Sequence, residues 1–240
     1  MLVLLAAQSS SAYVRLLPGG ATVVEVALLP PAIHRGRLLV LWMASATPVE
    51  CQEGWEETWT TMCPDSTRGC SAAGPTRVSL VDTEENRLIN TLRITNPVTR
   101  ADSFDVPRRL GPGGPYRVEV PFGRPNLLWL RDYTGQGEAS QFALFDAATC
   151  SMLFTTLLGY DSEHDRLVQY SIHSWWRDRS GRWHSYSSPW ELGLFAVPPV
   201  RPGYWRYRGG GPGAPHSEYE VRYRADTRSF EAWVLQSETQ

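Results

Sequence analysis

The sequence predicts an all-β fold of antiparallel hairpins, and three observations carry that prediction. Apolar residues alternate with polar ones at the strand period of two in several separate runs. Clusters of turn-forming residues sit between paired runs, as hairpins require. No stretch longer than about ten residues keeps the 3.6-residue period of an amphipathic helix, and 20 glycines and 18 prolines spread along the chain oppose long helices.

In chain order, Gly19-Gly20 marks a tight reversal between apolar runs. Residues 37–43, Arg-Leu-Leu-Val-Leu-Trp-Met, read as a buried strand, and 46–75 as a long loop. Thr76-Arg-Val-Ser-Leu-Val81, the turn Asp82-Thr-Glu-Glu-Asn86 and Arg87-Leu-Ile-Asn-Thr-Leu-Arg-Ile94 read as a hairpin. After a loop at 96–115, the same pattern returns at 141–145, with a turn at 146–150 and a second strand at 151–157. Ser180-Gly181 reverses the chain between Trp176 and Trp183; 208–217 is loop, and a further hairpin spans 219–235 around a turn at 224–228. The three longer turns place an Asp at or near their entry, where its carboxylate can bond the backbone two residues on. Spacing between hairpins is irregular, so a small β-propeller-like architecture, a β-sandwich and a distorted barrel all fit.

At 240 residues the chain lies below the roughly 250–300 residues at which one core usually splits. One all-β domain is expected over 13–240. Residues 1–12, Met-Leu-Val-Leu-Leu-Ala-Ala-Gln-Ser-Ser-Ser-Ala, resemble the apolar part and small-residue cleavage region of a signal peptide, or else a first strand. The composition is 42% hydrophobic and 20% charged, which fits a globular protein rather than a disordered one. A net charge of −2 gives no basic footprint for nucleic acid, and no apolar run is long enough to span a bilayer as a helix. All 23 basic residues are arginine. Without lysine there is no P-loop amine, Schiff base or Ser–Lys dyad.

The four cysteines, Cys51, Cys63, Cys70 and Cys150, include no C-x₂-C pair, and the five histidines show no ligand-like pairing. Zinc is therefore not expected. Their even number in a Gly/Pro/Ser-rich setting fits two disulfides and an oxidising compartment, so a periplasmic or secreted location is expected. Spacing alone leaves all three pairings open.

Candidate chemistry is sparse. Gly69-Cys-Ser71-Ala-Ala-Gly74 misses the G-x-S-x-G spacing and has no helix pattern after it. Acidic residues gather at Glu53, Glu56 and Glu57, and at Asp161, Glu163 and Asp165 around His164. A glycosidase needs two such carboxyls facing each other across an aromatic-lined cleft. The most informative cluster is aromatic: Trp175, Trp176, Trp183 and Trp190, with Tyr186, then Trp205 between Tyr204 and Tyr207. Neighbours on one strand face opposite ways, so Trp175 and Trp176 cannot share a face. Exposed indoles serve polysaccharide or protein partners. The resulting expectation is a non-enzymatic binding domain using Trp175, Trp176, Trp183, Trp190 and Trp205. The alternative is a carbohydrate- or lactone-directed hydrolase with carboxylate acid and base.

Three resemblances add to this. Residues 77–92 look like one blade hairpin of YVTN-type propeller repeats. The loop Asp132-Tyr-Thr-Gly-Gln-Gly137-Glu138 is similar to the D-x-[ND]-G-[DN]-G calcium loop of FG-GAP propellers. That resemblance implies Asp132, Thr134, Gln136 and Glu138 as ligands for Ca²⁺, the one cofactor candidate. Thr134 and Gln136 replace acidic or amide positions, which implies weak binding. An Asp132-held glycine turn is the competing reading. From about residue 37 onward the chain also resembles an uncharacterised family of bacterial exported proteins. The resemblance rests on Thr67-Arg68-Gly69, Gly74-Pro-Thr-Arg-Val-Ser-Leu-Val-Asp82, Asp132-Tyr-Thr-Gly-Gln-Gly137, Phe142-Ala-Leu-Phe-Asp-Ala147 and Pro202-Gly-Tyr-Trp-Arg-Tyr207. It implies a shared fold, lends no activity, and implies the pairing Cys63–Cys150 with Cys51–Cys70.

Overall fold

The computed structural model describes residues 13, 15–46, 50–52, 69–94, 104–110, 127–149, 152–178, 180–188, 190–192, 199–209 and 217–237. Every extended element among them is a strand, in four sheets. Sheet I orders β1 (Ala21–Leu28), β2 (Arg37–Ala44), β5 (Thr76–Asp82) and β6 (Arg87–Ile94); sheet II orders β3 (Glu50–Gln52), β4 (Gly69–Gly74) and β7 (Phe104–Leu110). In sheet III, β9 (Met152–Asp161) pairs with β8 (Gln141–Thr149), with β10 (Arg166–Gln169) and with β13 (Trp190–Leu192). Sheet IV orders β12 (Trp183–Ser188), β11 (Ile172–Arg177), β16 (Ser229–Ser237), β15 (Ser217–Arg224) and β14 (Tyr204–Gly209).

The predicted hairpins at 76–94 and 219–235 and the reversal at Ser180-Gly181 are present. Four expectations change. Gly19-Gly20 leads into β1, whose partner is β2, instead of joining two paired strands. β8 runs through the expected turn to Thr149, which pairs with Met152. The segments read as loops at 46–75 and 96–115 contain the strands of sheet II, with Pro107 of β7 beside the irregular register between Ala72 and Gly74, a place that tolerates proline. Finally, β11 and β16 pair parallel, Ile172 opposite Phe230 and Trp175 opposite Trp233, so the fold is not hairpins alone.

Sheet III is covered on both faces because its residues alternate between two cores. Phe142, Leu144, Leu158 and Tyr160 pack with Leu39, Leu41, Val78 and Leu80 of sheet I. Ala143 and Leu157 pack with Ile172, Trp205, Val221 and Phe230 of sheet IV. The other face of sheet I, through Leu38, Val40 and Trp42, is covered by Leu17 with Tyr13 and Leu16.

Three hairpins end in the same four-residue turn, each with its last residue at positive φ: Asn86 (50°), Asp165 (46°) and Arg228 (49°). Asn and Asp tolerate this region best among side chains. The turns are joined by charge. The buried Arg37 guanidinium reaches Asp165 through Nε (2.8 Å) and Nη2 (2.7 Å) and Asp82 through Nη1 (2.9 Å). It thereby clamps the end of sheet I to the end of sheet III. The Arg37 hydrogen bonds hold the Asp165 carboxyl below the usual carboxylate range. The Asp82 carboxyl is also held low, first by the Glu85 amide. Nearby, Asn90 donates to the Leu167 carbonyl (3.1 Å) and accepts from its amide (3.0 Å), satisfying a strand backbone across two sheets.

Candidate functional site

Two surfaces carry chemistry. One is the predicted aromatic cluster, at the β11–β12 edge of sheet IV. Register places Trp175, opposite Ser185 and Trp233, on one face and Trp176, opposite His184, on the other. Trp175 stacks on Trp233 (centroids 5.3 Å, 10°), and Trp183 meets Trp233 edge-on (5.4 Å, 83°). Arg177 lies over the Trp183 ring at 4.8 Å. On the opposite face Trp176 stacks on His184 and meets Tyr186. Trp176, Trp183 and Tyr186 are 36%, 40% and 43% exposed, and neither they nor Trp175 and Trp233 join an apolar core cluster. Asp178 fixes the turn that presents them. It accepts from the Ser180 amide (2.9 Å), the Ser180 hydroxyl (2.6 Å) and the Arg182 amide (3.0 Å), and pairs with His184 (2.8 Å). The Ser180 and His184 bonds push its carboxyl far below the ordinary range.

Trp205 departs from the predicted set. It is 1% exposed, stacked on Tyr133 at 6.0 Å and packed against Phe230. It belongs to the core, because its parity on β14 turns it toward sheet III. For Trp190, only the β13 backbone lies within the description.

The Asp132 loop is organised as a glycine turn. Asp132 Oδ1 accepts from the amides of Gly135 (2.7 Å) and Gln136 (3.1 Å) and from the Thr134 hydroxyl (3.2 Å). Its Oδ2 accepts from the Gly137 amide (2.7 Å). Both carboxylate oxygens are thus engaged by the loop itself. Thr134 is buried, while Gln136 and Glu138 are exposed, so a calcium ion at Asp132, Thr134, Gln136 and Glu138 would have to share the Asp132 carboxylate with the loop's own amides. The glycines answer a packing demand. A Cβ on Gly135 (φ +75°) would stand 2.7 Å from the Pro202 carbonyl oxygen, and one on Gly203 (φ +73°) 2.5 Å from that of Thr134. Two of the sequence hallmarks therefore form one joint, backed by the Tyr133–Trp205 stack. Burial pushes the Tyr133 phenol up to about 12.

The second surface is a groove of about 600 Å³ between the Asp132 loop, the β9–β10 hairpin and the β15–β16 turn. Asp161 and Glu163 line it and come together with His164, ligand atoms within 4.8 Å of one another. Arg228 occupies the middle of that group: it pairs with Asp161 (3.1 Å) and Glu163 and contacts His164 (3.3 Å). Burial raises the Asp161 carboxyl, but the His164 bond and charge, the Glu163 amide and Arg228 together outweigh it and leave it lowered. An ionised, arginine-paired Asp161 is unsuited to act as a general acid. The third acidic residue, Asp165, turns away to Arg37. Sequence reading found the acidic group but not Arg228, which lies 64 residues from His164.

The other candidates are dispersed. Ser71 lies in strand β4, without the strand–turn–helix a nucleophile elbow requires. Glu53, Glu56, Glu57, Cys63, Cys150 and residues 1–12 fall outside the described residues. In the β3–β4 register Cys51 stands directly opposite Cys70.

Comparison with protein-family models, with curated proteins and with solved structures finds no match. No helix among the described residues is long and apolar enough to cross a membrane.

Proposed function

We propose that this chain is an exported, non-enzymatic binding domain that holds an extended polysaccharide on the aromatic edge of sheet IV. One observation carries the reading: at this edge Trp176 and Tyr186 on one face and Trp183 on the other stay 36–43% exposed, on a hairpin whose turn is pinned by Asp178. Such rings offer flat apolar area at low entropic cost when already held in place. Two-sided packing of sheet III favours a propeller-like stacking of sheets over a two-layer sandwich, in which each sheet buries only one face. Export is supported by the cysteine register. Directly opposed residues of an antiparallel pair lie about 4.5–5.5 Å apart at Cα, within disulfide range. A Cys51–Cys70 cross-link is the expected product of a non-reducing peptide map.

The test is retention of the intact chain by insoluble polysaccharides, with Trp176→Ala and Trp183→Ala as variants. Retention by at least one polymer, lost in at least one of the two variants while the fold is kept, is the expected result and tells which face holds the polymer. Equal retention of wild type and variants would overturn the assignment to this surface.

A further inference from the structure

The groove beside sheet IV is built as a small-molecule site. Its volume of about 600 Å³ falls in the roughly 300–1,000 Å³ range of ligand pockets. Its three walls are each fixed by hydrogen bonds or ion pairs already in place. The Asp132 carboxylate holds the loop carrying Gln136 and Glu138. Arg228 ties the β15–β16 turn to Asp161 and Glu163 of the β9–β10 turn. The buried Gln141 bonds the Tyr133 amide (2.8 Å) and sets the base of the loop. A site held this way loses little entropy on binding.

Its chemistry is mixed and nearly neutral. Tyr170 and Tyr223 line it, edge to face with each other at 6.1 Å, and both pack against Phe230, so their ring planes are set. Around them Gln136, Glu138 and Arg166 are exposed and make no side-chain hydrogen bond or ion pair among the described residues. The charged lining is Glu138, Asp161 and Glu163 against Arg166 and Arg228, three against two, which leaves −1. That balance provides no field for a phosphorylated or polycationic ligand. A planar carboxylate, a planar guanidinium and an amide can accept from and donate to neighbouring hydroxyls. A tyrosine ring offers an apolar face for the C–H side of a pyranose.

From this we infer that the groove binds a short neutral saccharide of one or two hexopyranose units. Glu138, Gln136 and Arg166 would engage its hydroxyls, and Tyr223 would lie against its ring. This inference does not rest on the tryptophan surface. Tyr223, opposite Phe230 on the side of sheet IV that faces sheet III, lies across the sheet from Trp175, Trp183 and Trp233.

The experiment is saturation-transfer NMR and calorimetry on the intact chain. The probes are glucose, galactose, mannose, N-acetylglucosamine, maltose and cellobiose, with glucose 6-phosphate and choline as charged controls. At least one neutral sugar is expected to bind in the millimolar range or tighter. Glu138→Ala and Arg166→Ala should each weaken it by about tenfold or more, with circular dichroism unchanged, whereas Trp183→Ala should not change it. Absence of binding by every neutral sugar overturns the inference, as does tighter binding of either charged control. Binding that survives Glu138→Ala and Arg166→Ala but fails in Trp183→Ala also overturns it, and assigns the sugar to the tryptophan surface instead.

Discussion

The two faces of sheet IV use the same residue types for opposite ends. On the inner face Trp205 is 1% exposed among Tyr133, Phe230 and Val221. On the outer face Trp183 is 40% exposed and rests on Trp233 under Arg177. The outer face then continues into ion pairs, Arg206 with Glu218 (2.6 Å) and Arg222 with Glu231 (3.0 Å). An indole in this protein is buried or exposed according to its parity on a strand and to whether another sheet covers that face.

The largest expected effect breaks the comparison directly. Trp205→Ala empties a closed core position and should destabilise the protein by about 3–5 kcal/mol. Trp183→Ala should cost about 1 kcal/mol or less. Urea unfolding of the two variants measures the contrast, and equal losses would mean that the outer face is as structural as the inner one.

A change remote from sheet IV should touch stability alone. Arg37→Met leaves Asp82 and Asp165 without their shared cation and is expected to cost about 2–4 kcal/mol, less than for a fully buried triad because Asp165 reaches solvent. Both carboxyls are held below their ordinary values. The stability they contribute is therefore complete above the ordinary carboxylate range and is lost as pH falls through the depressed values. Thermal melts across acid pH should show a shallower acid loss in Arg37→Met than in wild type, with polysaccharide retention at neutral pH unchanged.

The smallest effects compare two glycines at nearly the same φ. Gly203→Ala drives a methyl into the Thr134 carbonyl and should cost about 2–3 kcal/mol. Gly181 (φ +82°) has nothing within 4 Å, so Gly181→Ala carries only the left-handed penalty of about 1 kcal/mol. Chemical denaturation midpoints for the pair separate packing from backbone strain.

What was legible in the sequence was local. The hairpin at 76–94 announces itself because alternation, an Asp-led turn and a second alternating run follow one another. The β9–β10 hairpin is hard to read from sequence although Asp161-Ser-Glu-His-Asp-Arg-Leu167 repeats the pattern of Asp82-Thr-Glu-Glu-Asn-Arg-Leu88; its second strand, at four residues, is too short to show a period. β4 reads Gly-Cys-Ser-Ala-Ala-Gly, without the branched and aromatic side chains that mark strands. The site was less legible than the fold. Trp175, Trp176 and Trp183 were visible as a cluster, but the burial of Trp205 depends on Tyr133, and the groove depends on Arg228 meeting a turn 64 residues earlier.

The parallel contact between β11 and β16 also sets the order in which the molecule can be completed. The β11–β12 hairpin ends at Ser188, and β16, the neighbour of β11, begins at Ser229, so a nascent chain exposes the hairpin through about forty residues of further synthesis. Pairings closed over such a span form late, because the loop entropy must be met before the contact rewards it. During that interval the tryptophan-bearing hairpin lacks the strand that will flank it, and unpaired apolar strands are the species on which chains self-associate. Slow translation of the final hairpin would lengthen the interval, and chaperones that shield extended apolar segments would be needed most at that stage.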